Sequence, residues 1–530
     1  MWIPTALAGV AVLMVFAIYR DRKKKHNIFR KLGIPGPEPH WWYGNLKQLR
    51  SQTRLAHESL DEWSRVYGTT YGYYEGPTAI LVTSDLNFLK SVFIKNFNKF
   101  HARKYFPLQP NPVTHPVCSM VVAEGQRWKR LRNISNPSFT SSKLKHATKM
   151  MNQKSEKLLQ KLEELTKKGE VCNIQPFLQG LAMDVLGEAA FGIDLNAQGD
   201  THTPLLSAIR KFVQQNGFQF EFMAVVPELR FRVFDVLFYL SKILSLPDWQ
   251  IIEAVGKVLE MRREQPQRNP PDLMQLMIDA EASDDHGPLE IAWTTTAIRR
   301  VTEIERSRHA AELAKKKLTT DEIKIQGLLF LVAGYDTTST VLSYCAYALA
   351  TNPEKQQLLF DEINQNIEFE ENLTYEMVHA LPYLDMVLRE TLRMYSTGGL
   401  VINRRCVESC TINGLTIPEG MVIQANVWNI HYDPDIWGPT DPTVFEPERF
   451  TAERRAELHP LAWLPFGAGP RNCIGLRFAL LQAKIVLAKL IKKFRIVPCQ
   501  QTKVPIELEE KSTIISPKGG VTVELQLREL

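Results

Sequence analysis

The sequence predicts a mainly α-helical protein with a small β-rich lobe. Three observations predict it. Helical periodicity dominates from about residue 119 to 380, short strand-like runs occur near 67–83 and 405–425, and a strong helix near 475–494 precedes strand-like closing segments. The lobe therefore draws on both early and late parts of the chain. With 530 residues, 44% of them apolar, the chain can build a sizeable core. A net charge of +6 without a concentrated basic stripe does not describe a nucleic-acid binder.

Taken in order, Trp2 to Tyr19 is an uncharged run, WIPTALAGVAVLMVFAIY, at the lower length limit for a bilayer-spanning helix. Arg20, Arg22, Lys23, Lys24 and Lys25 follow at once. A cleaved leader carries its cations before the apolar run, so 2–19 reads as a single-pass anchor with the rest of the chain on the cytosolic side. Seven scattered cysteines without paired CxxC spacing fit a reducing compartment. On this topology the glycosylation triplets at Asn133 and Asn372 are accidental. Residues 20–39 combine the basic patch with Gly33-Ile34-Pro35-Gly36-Pro37-Glu38-Pro39, a semi-rigid linker to the body at 40–530. Phe212 to Trp249 is rich in aromatics and leucines. Core packing accounts for most of it, and part could dip into a bilayer and admit lipophilic substrates. Residues 281–318 read as a charged connector without chemistry.

Two stretches carry chemistry. Thr319 and Glu322 form a capping box ahead of IKIQGLLFLVAGYDTTSTVLSYCAYALA, a helix of about thirty residues that is apolar nearly all round and so buried. Its middle holds Gly334 and a polar patch. Ala333, Asp336, Thr337 and Thr340 share an arc of about 100°; back-bonding of the hydroxyls to the preceding turn is the bland reading. The second stretch is Phe466-Gly467-Ala468-Gly469-Pro470-Arg471-Asn472-Cys473-Ile474-Gly475, which sets one thiol at the start of a long helix. Unpaired N–H groups and the helix dipole favour a thiolate there. A lone cysteine cannot close a tetrahedral zinc site, but it can be the axial ligand of a haem.

The decapeptide fits FxxGxRxCxG at every position, and the chain resembles the cytochromes P-450. The likeness extends through KLGIPGP, WKRLRN, PSFTSSKLK, DLMQLMIDA, LFLVAGYDTTSTVLSY and YLDMVLRETLR, and is nearest to animal microsomal enzymes that oxidise drugs and steroids. It implies the cytochrome P-450 fold and haem b (iron protoporphyrin IX). Cys473 becomes the proximal iron ligand, Arg471 a propionate partner and Phe466 a shield for the sulfur. Trp128 and Arg132 match WxxxR, a further propionate contact; Arg103 and Arg404 fall where relatives place more. Ala333 and Gly334 would lie over the haem where oxygen binds, with Thr337 hydrogen-bonding that oxygen and Asp336 relaying protons through water. Glu390 and Arg393 match ExxR, and with Arg449 of PERF they imply a structural triad. One departure is Ser396, where the family usually has proline before the pocket-lining segment 397–400.

The implied reaction inserts one oxygen atom from O2 into a lipophilic molecule. NADPH-derived electrons arrive through a diflavin reductase, with cytochrome b5 as a second partner, at the endoplasmic reticulum membrane. Lys129, Arg130, Lys484 and Lys489 are candidates to meet an acidic reductase. Two other readings stay open: a haem-thiolate isomerase or dehydratase of oxygenated lipids, whose members tend to lack the helix threonine, and a non-catalytic haem protein.

Overall fold

In the computed structural model, residues 2–50, 54–200, 203–214, 218–264, 272–281, 317–368, 372–511 and 514–529 are described, apart from the side chains of 2–12, 14 and 218–221. The helices that position the site are α1 (Trp2–Lys25), α2 (Gly125–Ser135), α3 (Ser141–Lys167), α4 (Ile174–Phe191), α5 (Arg230–Ile243), α6 (Pro247–Glu264), α7 (Thr320–Thr351), α8 (Pro382–Met394) and α9 (Leu476–Lys493). Most of the predicted connector at 281–318 lies outside the described residues.

Helix α7 is the axis of the body. The predicted capping box starts it: Thr319 Oγ1 accepts from the Glu322 N–H at 3.1 Å, and Glu322 Oε2 accepts from the Thr319 N–H at 3.3 Å. Two glycines let its neighbours approach. A Cβ on Gly327 would come within 2.4 Å of Val255 of α6, and one on Gly334 within 2.6 Å of Leu186 of α4. Each glycine costs about 1 kcal/mol in a helix interior, a cost that close packing of α4 and α6 offsets. The C-terminal half, with Leu342, Cys345 and Leu349, packs with Val387 and Leu388 of α8 and Ile485 of α9. The N-terminal half, with Leu328 and Leu331, packs with Leu131 of α2, Phe191 of α4 and Val255.

The β lobe joins distant segments, as the sequence predicts. Strands β1 (Thr70–Glu75), β2 (Thr78–Thr83), β3 (Asn403–Arg405) and β6 (Val422–Ala425) form one sheet in the order β1-β2-β6-β3. β2 and β6 run parallel with Ile80 opposite Val422, and β3 runs antiparallel to β6 with Arg404 opposite Ile423. Between them, β4 (Cys410–Ile412) and β5 (Leu415–Ile417) make a hairpin. Its turn is the predicted Asn413-Gly414, both residues at positive φ (50° and 81°), as a two-residue hairpin loop requires.

Among the described residues no helix is long and apolar enough to cross a membrane. Most side chains of the predicted span 2–19 lie outside the described set. The end of α1 is tied to the body. Arg22 is buried, with both terminal nitrogens 3.1 Å from Glu228 and one also 3.1 Å from the Val225 carbonyl. The Pro/Gly segment lies against β1 rather than running free. Gly72 donates to the Pro35 carbonyl at 2.9 Å, and a Cβ on Gly36 would collide with Gly72 O at 1.9 Å.

Candidate active site

The cysteine loop folds because its glycines take conformations closed to other residues. Gly467 and Gly469 sit at φ 68° and 69°, and a Cβ on Gly469 would lie 2.2 Å from the Phe93 carbonyl. The loop returns on itself through the Cys473 N–H, which donates to Phe466 O at 2.9 Å. Cys473 thus stands just before α9, and its exposed surface opens into an internal cavity of about 380 Å³. Burial pushes its thiol up, opposed by backbone N–H donation from Gly475 and by the charges of Arg132 and Arg103. Phe466 lines the same cavity and packs edge-on to Trp463.

Arg103, Arg132, Arg404 and Arg471 also line this cavity, and among the described residues no aspartate or glutamate does. Each guanidinium grips backbone carbonyls of the surrounding loops. Arg103 donates to Val401 O at 2.6 Å and Arg471 O at 3.1 Å; Arg132 to Asn472 O at 2.9 Å and Asn472 Oδ1 at 3.0 Å. Arg404 donates to Ala468 O at 2.9 Å, and Arg471 to Val121 O at 3.2 Å and to Ala123 O. Trp128 lies under Arg471, its ring 4.8 Å from the guanidinium carbon. Burial pushes Arg471 down to about 9 and Arg103 to about 10, and holds Arg404 well below the arginine range. The Nε atoms of Arg404 and Arg471 are buried without a partner among the described residues. Guanidinium groups do not readily shed their protons, so four cations face one chamber without a fixed carboxylate. A ligand that carries its own carboxylates and offers a metal to one thiolate suits this donor set. The residues present fit haem.

The opposite wall is α7. Ala333, Gly334, Thr337, Thr338 and Val341 line the cavity, whereas Asp336 and Thr340 do not. The cavity-facing arc is therefore rotated from the predicted one toward Gly334, Thr338 and Val341. Thr337 Oγ1 bonds back to Ala333 O at 2.7 Å, as the bland reading expects, and the residue still borders the cavity. Asp336 is buried against α4, where Gln179 Nε2 donates to its Oδ1 at 3.1 Å. Its Oδ2 and the Thr340 hydroxyl have no partner among the described residues. Burial raises the Asp336 carboxyl, with the Gln179 bond opposing.

Glu390, Arg393 and Arg449 come together as predicted. Glu390 and Arg393 are 0% exposed, so this is not a surface i,i+3 pair. Arg393 Nε and Nη2 meet the two carboxylate oxygens at 2.7 and 2.8 Å, and Arg449 Nε reaches Oε1 at 3.3 Å. The remaining N–H groups reach carbonyls of the 431–444 segment: Arg393 to His431 at 2.5 Å and Pro442 at 2.7 Å, Arg449 to Thr440 at 2.8 Å, Asp441 at 2.6 Å and Trp437. His431 completes the cluster, its Nδ1–H donating to Arg393 O and its Nε2 accepting from the Leu464 N–H, each at 2.9 Å. No sequence motif pointed to His431.

Three of the four expected docking cations need correction. Arg130 is buried and paired with Glu322 at 2.7 Å, Lys484 is buried and paired with Asp385 at 2.9 Å, and Lys489 is buried against Glu156. Lys129 alone of the four is exposed. Sequence reasoning missed the apolar walls: Leu186 of α4, Phe139 after α2, and Phe330 of α7. Nothing in their local patterns separates them from core residues. The segment after Ser396 does border the chamber, with Thr397, Gly398 and Val401 in its wall, so proline is not needed for that path.

A thiol that opens onto an internal chamber just before a helix, ringed by arginines and faced by a hydroxyl-bearing helix, defines a haem-thiolate site. The chain belongs to the cytochrome P450 family, whose model matches residues 34–525. It is 30% identical over 536 residues to cytochrome P450 3A29 of Sus scrofa, covering 100% of this chain and 97% of that protein. It is 31% identical over 498 residues to putative cytochrome P450 CYP13A4 of Caenorhabditis elegans, covering 91% and 92%. It is 30% identical over 516 residues to cytochrome P450 3A11 of Mus musculus, covering 97% and 95%. The chain is a haem-thiolate monooxygenase of lipophilic substrates that works with redox partners.

Proposed function

We propose that residues 2–19 anchor this monooxygenase in the endoplasmic reticulum membrane, residues 20–39 link the anchor to the body, and residues 40–530 form the cytosolic catalytic unit. In this reading NADPH is the electron source, delivered by a diflavin reductase, with cytochrome b5 as a second donor. One observation carries the site assignment: four arginines, with no carboxylate lining the wall among the described residues, surround the chamber onto which Cys473 opens. Haem, when bound, supplies the iron that activates O2.

The chain's own residues divide the remaining work. Cys473 provides the thiolate, favoured by the N–H groups of Gly475 and Leu476 and by Arg132 and Arg103. Arg103, Arg132, Arg404, Arg471 and Trp128 would hold the propionates of a bound haem, and Phe466 would screen the sulfur. Ala333 and Gly334 leave room beside Thr337, whose hydroxyl can exchange its bond to Ala333 O for one into the cavity. Asp336, with one oxygen free of protein partners and a raised pKa, can hold a proton for delivery near Thr337. Leu186, Phe139 and Phe330 exclude water and favour an apolar substrate. Glu390, Arg393 and Arg449 brace the segment that leads into the cysteine loop.

Leu240, Ile243, Leu244 and Leu246, at the end of α5 and just after it, are exposed and support contact with a bilayer. Lys129 supports docking of an acidic redox partner.

The test is the reduced, CO-bound spectrum of the purified full chain with its thiolate-ligated Soret band, followed by turnover of lipophilic substrates. The band should vanish in Cys473→Ala, and product should require O2, NADPH and reductase. Product formed without NADPH would favour the isomerase or dehydratase. A Soret band that survives Cys473→Ala would remove the assignment of the ligand.

A further inference from the structure

Behind the arginine ring lies a second cavity, also of about 380 Å³, which shares no lining residue with the first. Strand alternation helps to separate the two: Arg404 faces the cysteine chamber while Arg405, the next residue of β3, faces this one. Arg103 and Lys104 divide in the same way. The remaining walls are the end of α1 and the residue just after Asn27, the β1–β2 hairpin, the start of α5 with the residues before it, and the turn at 418–422.

Four cations line this cavity and three have acidic partners. Lys104 Nζ lies 2.8 and 2.9 Å from the oxygens of Glu75, Arg405 lies 2.5 Å from Glu124, and Lys25 lies 2.8 Å from Asp21. Arg230 is the exception. It is 5% exposed, its backbone N–H donates to Pro227 O, and among the described residues its side chain makes neither an ion pair nor a hydrogen bond, with Nε buried and without a partner. Its guanidinium lies 5.0 Å from the centre of the Tyr105 ring, against which Arg405 also packs at 4.2 Å. The nearby Glu228 is engaged by Arg22, and Glu419 stands exposed at the rim. Glu75 and Glu228 also line the cavity and favour the Arg230 charge from a distance, but each is already held by another cation, so a buried guanidinium without a contact partner remains as a receptor for an anion. Ile28, Ala79, Pro107, Phe231 and Met421 supply an apolar wall beside it.

We infer that this cavity binds the acidic head of an acyl amphiphile, with the anion on Arg230 and the chain along the apolar wall. The shared chemistry is one negatively charged oxygen group on an aliphatic tail. A fatty-acid carboxylate and the phosphodiester of an anionic phospholipid both supply it. The occupant is assigned to this cavity, whose lining residues are distinct from those of the Cys473 chamber.

The experiment uses the full-chain holoenzyme with its iron saturated by a coordinating azole, so that the cysteine chamber is closed. Binding of dansyl-labelled undecanoic acid is followed by fluorescence, with its methyl ester as the uncharged control. The acid should bind at one site and more tightly than the ester. Arg230→Met should raise the Kd of the acid by about tenfold or more and leave the ester unchanged, and Arg230→Lys should recover part of the loss. Competition by decanoate alone identifies a fatty acid, and competition by dioctanoyl phosphatidylglycerol alone identifies a phospholipid. Equal binding of acid and ester, or an unchanged Kd in Arg230→Met, overturns the inference. If Arg230→Met yields no thiolate-ligated pigment, Thr78→Trp at the cavity wall replaces it: the acid should then lose affinity, and unchanged binding overturns the inference. The thiolate spectrum is read separately, so failure here is distinct from failure of the monooxygenase reading.

Discussion

Glu390→Gln tests the buried cluster most directly. The substitution keeps size and shape but removes the charge on which Arg393 and Arg449 converge at 2.7, 2.8 and 3.3 Å. The Glu446 N–H, which donates to the same oxygen at 3.0 Å, keeps an acceptor only if the new amide turns its oxygen that way. The amide NH2 then faces guanidinium N–H groups, donor against donor. Both arginines retain their backbone carbonyl partners, so the loss is chiefly electrostatic: two fully buried cations without a counter-charge. Removing one partner of such a pair costs about 3–5 kcal/mol, against a total stability of about 5–15 kcal/mol for typical domains. Urea unfolding followed by loss of the thiolate-ligated Soret band should show a midpoint lowered accordingly at constant slope. A loss below about 1 kcal/mol would refute the view that these charges hold the proximal segment together.

Thr337→Ala removes a hydroxyl whose only bond among the described residues lies within its own helix, so stability should change by less than about 0.5 kcal/mol, while product formation falls by about 10²; unchanged turnover at matched substrate and reductase would dismiss its role. Stability should fall on acidification. His431, fully buried beside Arg393, is pushed down to about 3 from 6.5, so its contribution is complete above pH 6.5 and is lost as pH drops toward 3, at up to about 1.4 kcal/mol per pH unit. Urea midpoints between pH 7 and 4 check this, and a rise on acidification contradicts it. Lys129→Glu should slow first-electron transfer without a stability change, as stopped-flow reduction can measure. Lys484→Glu should instead destabilise by about 3–5 kcal/mol, because it sets a buried carboxylate against the half-buried Asp385. Equal effects on electron transfer in the two variants would restore Lys484 to the docking surface.

Much of the site is visible in sequence because its parts are local. The cysteine loop carries its own geometry: glycines at positive φ turn the chain, and the helix that follows supplies donors to the sulfur. The capping box fixes the start of α7 to the residue, and Asn413-Gly414 fixes the hairpin between β4 and β5. Glu390 and Arg393, one helical turn apart, meet wherever their helix lies.

Relations between segments distant in sequence are a different matter. The polar patch of α7 is legible, but its phase against the cavity follows from how α4 seats on Gly334, which turns Asp336 toward Gln179 and leaves Thr337 at the cavity wall. Arg130 and Lys484 look like surface charges until Glu322 and Asp385 meet them across the fold. Arg230 becomes a buried cation whose side chain has no ion pair among the described residues only once α1, α5 and the sheet come together. Residue order alone determined the helices, the turns and the reactive thiol, since each depends on bonds spanning a few residues. Burial and charge pairing depend on which surfaces exclude water together, and only the packed tertiary structure decided that.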